Sequence, residues 1–138
     1  MSVPVNERSH GKLEVCVKAH SLCCYTLQIT ANEKIFIPRF QESLTRSISD
    51  TALSIHMLCW GANNIIVKTA DDLRMRSNYQ EEAIVKCNVL LSLIDIAKSI
   101  FHLTTKRVIY WSELVMETRS LIRSWRESDR KRYADLAI

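Results

Sequence analysis

The sequence predicts an all-α fold, an up-down antiparallel bundle of four helices. Three observations lead there. Glycine and proline number only two each in 138 residues, whereas the tight turns between β-strands consume both, because they need positive or pre-set φ. Apolar residues recur at alternating four- and three-residue spacings, the period of a helix face and not of a strand. Short polar breaks separate the segments that carry this period, which makes successive helices antiparallel neighbours.

Residues 1–11 are polar, contain Pro4 and Gly11, and read as a flexible lead-in to a bundle spanning 12–132, with 133–138 as a tail. A first helix is expected from Lys12 to Ala31, with Leu13, Val17, His20, Cys24 and Leu27 on its packed face. Asn32, Glu33 and Lys34 break it, and Pro38 disfavours helix at Ile37, so Phe36–Phe40 reads as an apolar connector lying on the bundle. The second helix is expected from Arg39 to Ala70 on the stripe Leu44, Ile48, Thr51, Ile55, Leu58, Ala62, Ile65 and Thr69. Gly61 lies inside it, as a site of close helix approach or as a tolerated weakness. A turn in Asp71–Asn78 precedes the third helix, for which Ser77 and Gln80 fit a capping box. Its stripe is Ala83, Cys87, Leu90, Ile94, Ala97 and Phe101. After the connection His102–Thr105, in which a Thr caps the last helix, that helix packs through Trp111, Val115, Thr118, Ile122 and Trp125.

Composition excludes several classes. With 47% hydrophobic and 25% charged residues the chain has an ordinary globular balance, not a disordered one. No stretch reaches the roughly 20 uncharged apolar residues of a membrane span, and MSVPVNERSHGK lacks a signal-peptide core. The cysteines, Cys16, Cys23, Cys24, Cys59 and Cys87, are odd in number and fall in apolar patterns, which suggests reduced core residues and a cytoplasmic protein. No nucleophile and base stand in a catalytic arrangement, neither Gly belongs to a phosphate-cradling loop, and no Glu-x-x-His motif is present. No enzyme, catalytic residue, cofactor or metal is therefore expected. His20 with Cys23 and Cys24, and His56 with Cys59, have spacings that could place zinc ligands on facing helices. Their apolar surroundings favour packing instead.

The net charge of +4 is concentrated. From Thr104 to Arg132 eight Lys and Arg face four acids, a surplus of four that equals that of the whole chain. Within the segment Arg119, Arg123, Arg126 and Arg130 follow at intervals of four, three and four, so they align on one helix face. The first three each stand one residue after a core position, about 100° around the helix from it. Guanidinium groups in such a row suit phosphates or an acidic protein surface. A solvated face with Glu127 as local relief is the alternative, since cations near a helix C-terminus are favoured anyway. Lys106 and Arg107 are secondary candidates.

The order of these features resembles a known family. The run Ala83–Lys98 (AIVKCNVLLSLIDIAK) is similar to an Ala-led, Leu-rich third helix ending in Ala-Lys, and Leu103–Arg107 matches a short Leu-Ser/Thr connection. Glu117–Trp125 parallels a Glu-Ile-Gly-x-Met/Leu-Leu-Gly-Gly-Trp ending, and Phe36–Phe40 is a compressed form of a Phe-Pro-x-x-x-Arg-Phe connector. Over Leu13 to Trp125 the chain thus resembles the four-helix-bundle family that includes the accessory variability determinants of diversity-generating retroelements. More distantly it resembles the small proteins encoded in intervening sequences of bacterial large-subunit ribosomal RNA genes. It departs from the pattern where Arg119, Arg123 and Ser124 replace glycines and Asp95 replaces a basic residue.

The resemblance implies a non-enzymatic subunit that assembles as a pentameric barrel. It implies binding to a dedicated reverse transcriptase and its template RNA, with DNA as a further nucleic-acid partner, in support of mutagenic cDNA synthesis. Arg119, Arg123, Arg126, Arg130, Lys106 and Arg107 are the contact residues expected on that reading. An intervening-sequence-type bundle with a structural or interaction role is the alternative within the same fold. A purely structural or toxin–antitoxin-like oligomer, which would bind no nucleic acid, is a third class.

Overall fold

The computed structural model describes the backbone of residues 5–136 and the side chains of residues 14–136. Four α-helices make the fold: α1 (Val5–Thr30), α2 (Arg46–Asn64), α3 (Ala70–Phe101) and α4 (Thr105–Arg132). There is no strand among the described residues. Each helix packs on two others, α1 on α2 and α4, and α3 on α2 and α4, so the four stand in a closed square. Cross-helix pairs show the antiparallel sense: Lys18 with Glu117 and Thr26 with Trp111 between α1 and α4, Ser77 with Arg126 and Asn88 with Arg119 between α3 and α4.

The helix boundaries differ from expectation at three places. Helical backbone begins at Val5, inside the stretch expected as a lead-in; residues 1–4 and the end of the tail at 137–138 lie outside the described residues. Before α2, Pro38–Phe40 form one tight turn, and Gln41–Thr45 one wide turn in which the Arg46 N–H donates to the Gln41 carbonyl. Helix α2 then stops at Asn64 and not at Ala70, because Ile65 turns to extended backbone (φ −78°, ψ 121°). The β-branched run Ile65-Ile66-Val67 suits that conformation better than a helix.

Helix α3 starts two turns before the expected Ser77. Its cap is Thr69: the Thr69 hydroxyl accepts from the Asp72 N–H at 3.1 Å, and the Asp72 carboxylate accepts from the N–H groups of Lys68 and Thr69 at 3.0 and 3.1 Å. This reciprocal box satisfies free donors of the first turn, and those backbone donors hold the Asp72 carboxyl below its ordinary range. Ser77 and Gln80 are interior helix residues with cross-helix partners instead. Thr69→Ala is expected to lower stability by about 1 kcal/mol, measured as a shift in urea midpoint. His102 ends α3 in the left-handed region (φ 53°), a conformation costing a non-glycine residue roughly 1 kcal/mol. Thr104 caps α4 by accepting from the Arg107 N–H.

The core stripes of α3 and α4 are those expected: Ala83, Cys87, Leu90, Ile94, Ala97 and Phe101 face Trp111, Val115, Thr118, Ile122 and Trp125, all buried. In α1 the packed face is different. Val15, Cys16, Ala19, Leu22, Cys23 and Thr26 are buried, while Val17 is 55% exposed, Leu27 43% exposed and His20 at the surface. Leu13 lies outside the described side chains. Apolar residues occur all around α1, so periodicity alone does not choose a face; Thr26, which accepts the Trp111 indole N–H at 3.0 Å, fixes it from outside the helix. Gly61 is not needed for close approach, since a Cβ there would meet the Tyr79 ring at 3.8 Å, an ordinary contact.

The two ends of the bundle are chemically distinct. At one, Phe36 of the connector is fully buried against Phe101 (ring centroids 4.7 Å) and Trp111 (6.2 Å), as an apolar connector should be. At the other, Arg76 and Asp129 form a buried ion pair.

Candidate binding surface

The arginine row lies along the seam between α4 and α3. Sequence spacing puts the row one residue after the buried positions Thr118, Ile122, Trp125 and Asp129, and the structure shows what that offset means. Helix α3 carries a matching row, Ser77, Glu81, Ile84 and Asn88, each one residue after buried Arg76, Gln80, Ala83 and Cys87. The two rows meet. Arg119 donates to Asn88 Oδ1 at 2.7 Å, and Arg126 donates to Ser77 Oγ at 3.0 Å and to Glu81 at 3.4 Å. Arg130 grips Glu127 on its own helix with two hydrogen bonds, at 3.0 and 2.6 Å, which lowers the Glu127 pKa. Arg123 is exposed and has no ion-pair partner among the described residues.

The four arginines therefore form one surface, but not four equal charges. Arg119 and Arg126 are half-buried and Arg123 and Arg130 exposed. Lys106 and Arg107 are not part of it. They stand in the first turn of α4, about 20 Å along the axis from Arg119 at ~1.5 Å per residue. Arg107 is half-buried near Tyr25 of α1, whose phenol it partly restores towards ionisation against the larger effect of burial.

Between α3 and the end of α4 is a groove of about 760 Å³. Leu73, Ile84 and Val85 give it an apolar floor, and Arg123, Arg126 and Arg130 line its α4 side. Beneath it lies the buried polar network. Arg76 donates to both Asp129 oxygens (3.2 and 3.3 Å) and to the Ala62 and Ile65 carbonyls (3.2 and 2.5 Å) at the end of α2, the Ala62 carbonyl also accepting from the Ile65 N–H. Gln80 donates to Asp129 at 2.9 Å, and the Arg76 guanidinium lies 5.7 Å from the centroid of the Trp125 ring. Arg76, Gln80 and Asp129 are each within 2% of full burial. The sequence alone marks Asp129 only as one of the four acids of the basic segment, and Arg76 only as part of the polar stretch Asp71–Asn78 that holds the turn. The signal was present: 76, 80 and 83 continue the α3 stripe towards its N-terminus, but a helix start at Ser77 hides it.

Cys16, Cys23, Cys59 and Cys87 are buried, Cys24 and His56 are half-buried, and His20 is exposed. His20 and His56 meet edge to face at 5.7 Å, and Cys24 Sγ is 3.7 Å from His20 Nε2. Among the described residues no three His, Cys, Asp or Glu side chains gather as a metal-ligand set. All five cysteines are free, and burial pushes the Cys59 and Cys87 thiols up to about 12. Burial, then the neighbouring His20, lowers the His56 pKa below its ordinary 6.5. The unfolded chain thus takes up the proton first, and stability should fall as pH drops from 6.5 towards the lowered value, then level off. His56→Gln should remove that acid-side loss from a series of urea titrations.

No helix among the described residues is long and apolar enough to cross a membrane. No protein-family model matches the chain, and neither does any curated protein or solved structure.

Proposed function

We propose that this protein is a non-enzymatic accessory subunit of a diversity-generating retroelement, which binds the reverse transcriptase and template RNA and supports mutagenic cDNA synthesis. The observation that carries the reading is the arginine row, Arg119, Arg123, Arg126 and Arg130, gathered on one accessible seam of the bundle. The resemblance of Ala83–Lys98, Leu103–Arg107 and Glu117–Trp125 to the accessory variability determinants supports the choice of partner. The functional assembly is a pentameric barrel in the cytoplasm. Two apolar rows on the outside of the square support self-association: Leu53, Met57 and Trp60 of α2, and Val89, Ile96 and Ile100 of α3, between 39% and 62% exposed. A solution mass five times that of the monomer is the corresponding result.

In the complex the exposed guanidiniums meet phosphate oxygens or polymerase carboxylates, and charge steers the encounter. The test is a salt titration of RNA binding. Engagement of three or four arginines by a single strand predicts a slope of log affinity against log salt of about −2 to −3. Charge reversal of Arg119, Arg123, Arg126 and Arg130 should abolish the binding with helicity retained. A slope near zero, or binding unchanged in the reversed protein, overturns the reading.

A further inference from the structure

The groove beside the arginine row has a feature that phosphate binding does not require, an apolar floor. We infer that this groove docks an acidic amphipathic helix from a protein partner. The inference rests on the reading of this seam as the working surface and commits the groove to its protein side.

The hydrogen bonds Arg126–Ser77 and Arg119–Asn88 fix the register of the two antiparallel helices. Arg123 accordingly falls beside the Glu81–Ile84 turn, and Arg130 beside the Leu73–Arg74 turn. Each apolar part of the floor thus has its own arginine: Ile84 and Val85, the latter 51% exposed, have Arg123, and Leu73 has Arg130. The two apolar parts are eleven or twelve residues apart on α3, about 17 Å or three helical turns at ~1.5 Å per residue. A helix laid along the groove meets both with side chains three turns apart on one face, as in other helix-in-groove recognition.

Charge selects the occupant. Arg123 flanks the apolar floor with no acidic partner among the described residues, which calls for a carboxylate next to the anchor over Val85. Arg126 is paired to Glu81 only at 3.4 Å and at the surface, a weak pair that an incoming carboxylate displaces. The apolar floor of Leu73, Ile84 and Val85 is what favours a protein over a nucleic acid here, because Glu81 and Glu127 inside the groove repel phosphate and carboxylate alike. An apolar centre with a polar, charged rim is the anatomy of a protein interface.

Selection of helical peptides from a displayed library against the full chain, followed by fluorescence anisotropy of the enriched peptides, tests this. Expected are peptides with two apolar anchors three turns apart and Asp or Glu beside them. Val85→Asp and Arg123→Glu, both at exposed positions, should each weaken them by at least about tenfold, and Lys34→Glu, at an exposed position outside the groove, should not. No enrichment over a scrambled library, no acidic bias, or affinity indifferent to both groove substitutions overturns the inference. Poly(U) provides the separating arm. If poly(U) displaces the peptides from the groove, the groove belongs to nucleic acid and the inference fails while the accessory-subunit reading stands. If acidic helices dock and poly(U) binds nowhere, the inference stands and the RNA part of that reading fails.

Discussion

Asp129→Ala is expected to destabilise the fold by about 3–5 kcal/mol, the usual loss when one member of a buried ion pair is removed. The charge left behind is Arg76, 1% exposed, whose guanidinium keeps only the Ala62 and Ile65 carbonyls and the Trp125 ring. Gln80 loses its acceptor in the same step. For a chain of this length the loss corresponds to a melting temperature lower by roughly 10–20 °C. The pair is a weak source of net stability, because desolvation opposes its attraction. The double change Arg76→Met with Asp129→Leu should therefore recover much of what Asp129→Ala removes, and chemical denaturation of the three variants measures both effects. If Asp129→Ala costs less than about 1 kcal/mol, as at an exposed position, the pair is not sealed from water as described.

Trp111→Ala is expected to cost a similar 3–5 kcal/mol, by cavity formation at the other end. Trp111 is fully buried and joins three parts of the chain: it donates to Thr26 of α1 at 3.0 Å, and its ring lies 6.3 Å from Tyr25 and 6.2 Å from Phe36 of the connector. Trp111→Phe keeps most of the volume and removes the N–H, so it should cost about 1–3 kcal/mol through the unpaired Thr26 hydroxyl. Urea denaturation of the two variants separates packing from hydrogen bonding. Equal losses would mean that the indole N–H, not the ring volume, is the dominant contribution.

Residue spacing alone gave the packed faces of α3 and α4, because Ala83–Phe101 and Trp111–Trp125 each keep the alternating four- and three-residue spacing unbroken, although α3 also carries the outer row Val89, Ile96 and Ile100. It misassigned α1, where Val17, Leu27 and His20 look as suitable as Val15, Ala19 and Leu22 and only the partner helices decide. It carried α2 too far because Ile65 and Thr69 keep the helical period, although the backbone there is extended. That single shift had a functional consequence. With α3 starting at Ser77, Arg76 falls in a turn, and both the buried pair with Asp129 and the groove walled by Leu73 disappear from view. The arginine row itself was legible, since a helical offset depends only on local geometry. Its partners Asn88, Ser77 and Glu81 were not, because they depend on the register between two helices.

Whether the α3–α4 seam meets a polymerase and its RNA, as proposed, is answered by co-purification. The protein and a version with Arg119, Arg123, Arg126 and Arg130 all changed to Glu are each expressed with a retroelement reverse transcriptase and its template RNA. The account predicts a complex with the unaltered protein and none with the reversed one, at equal helicity. Equal recovery of polymerase and RNA with both proteins would contradict it.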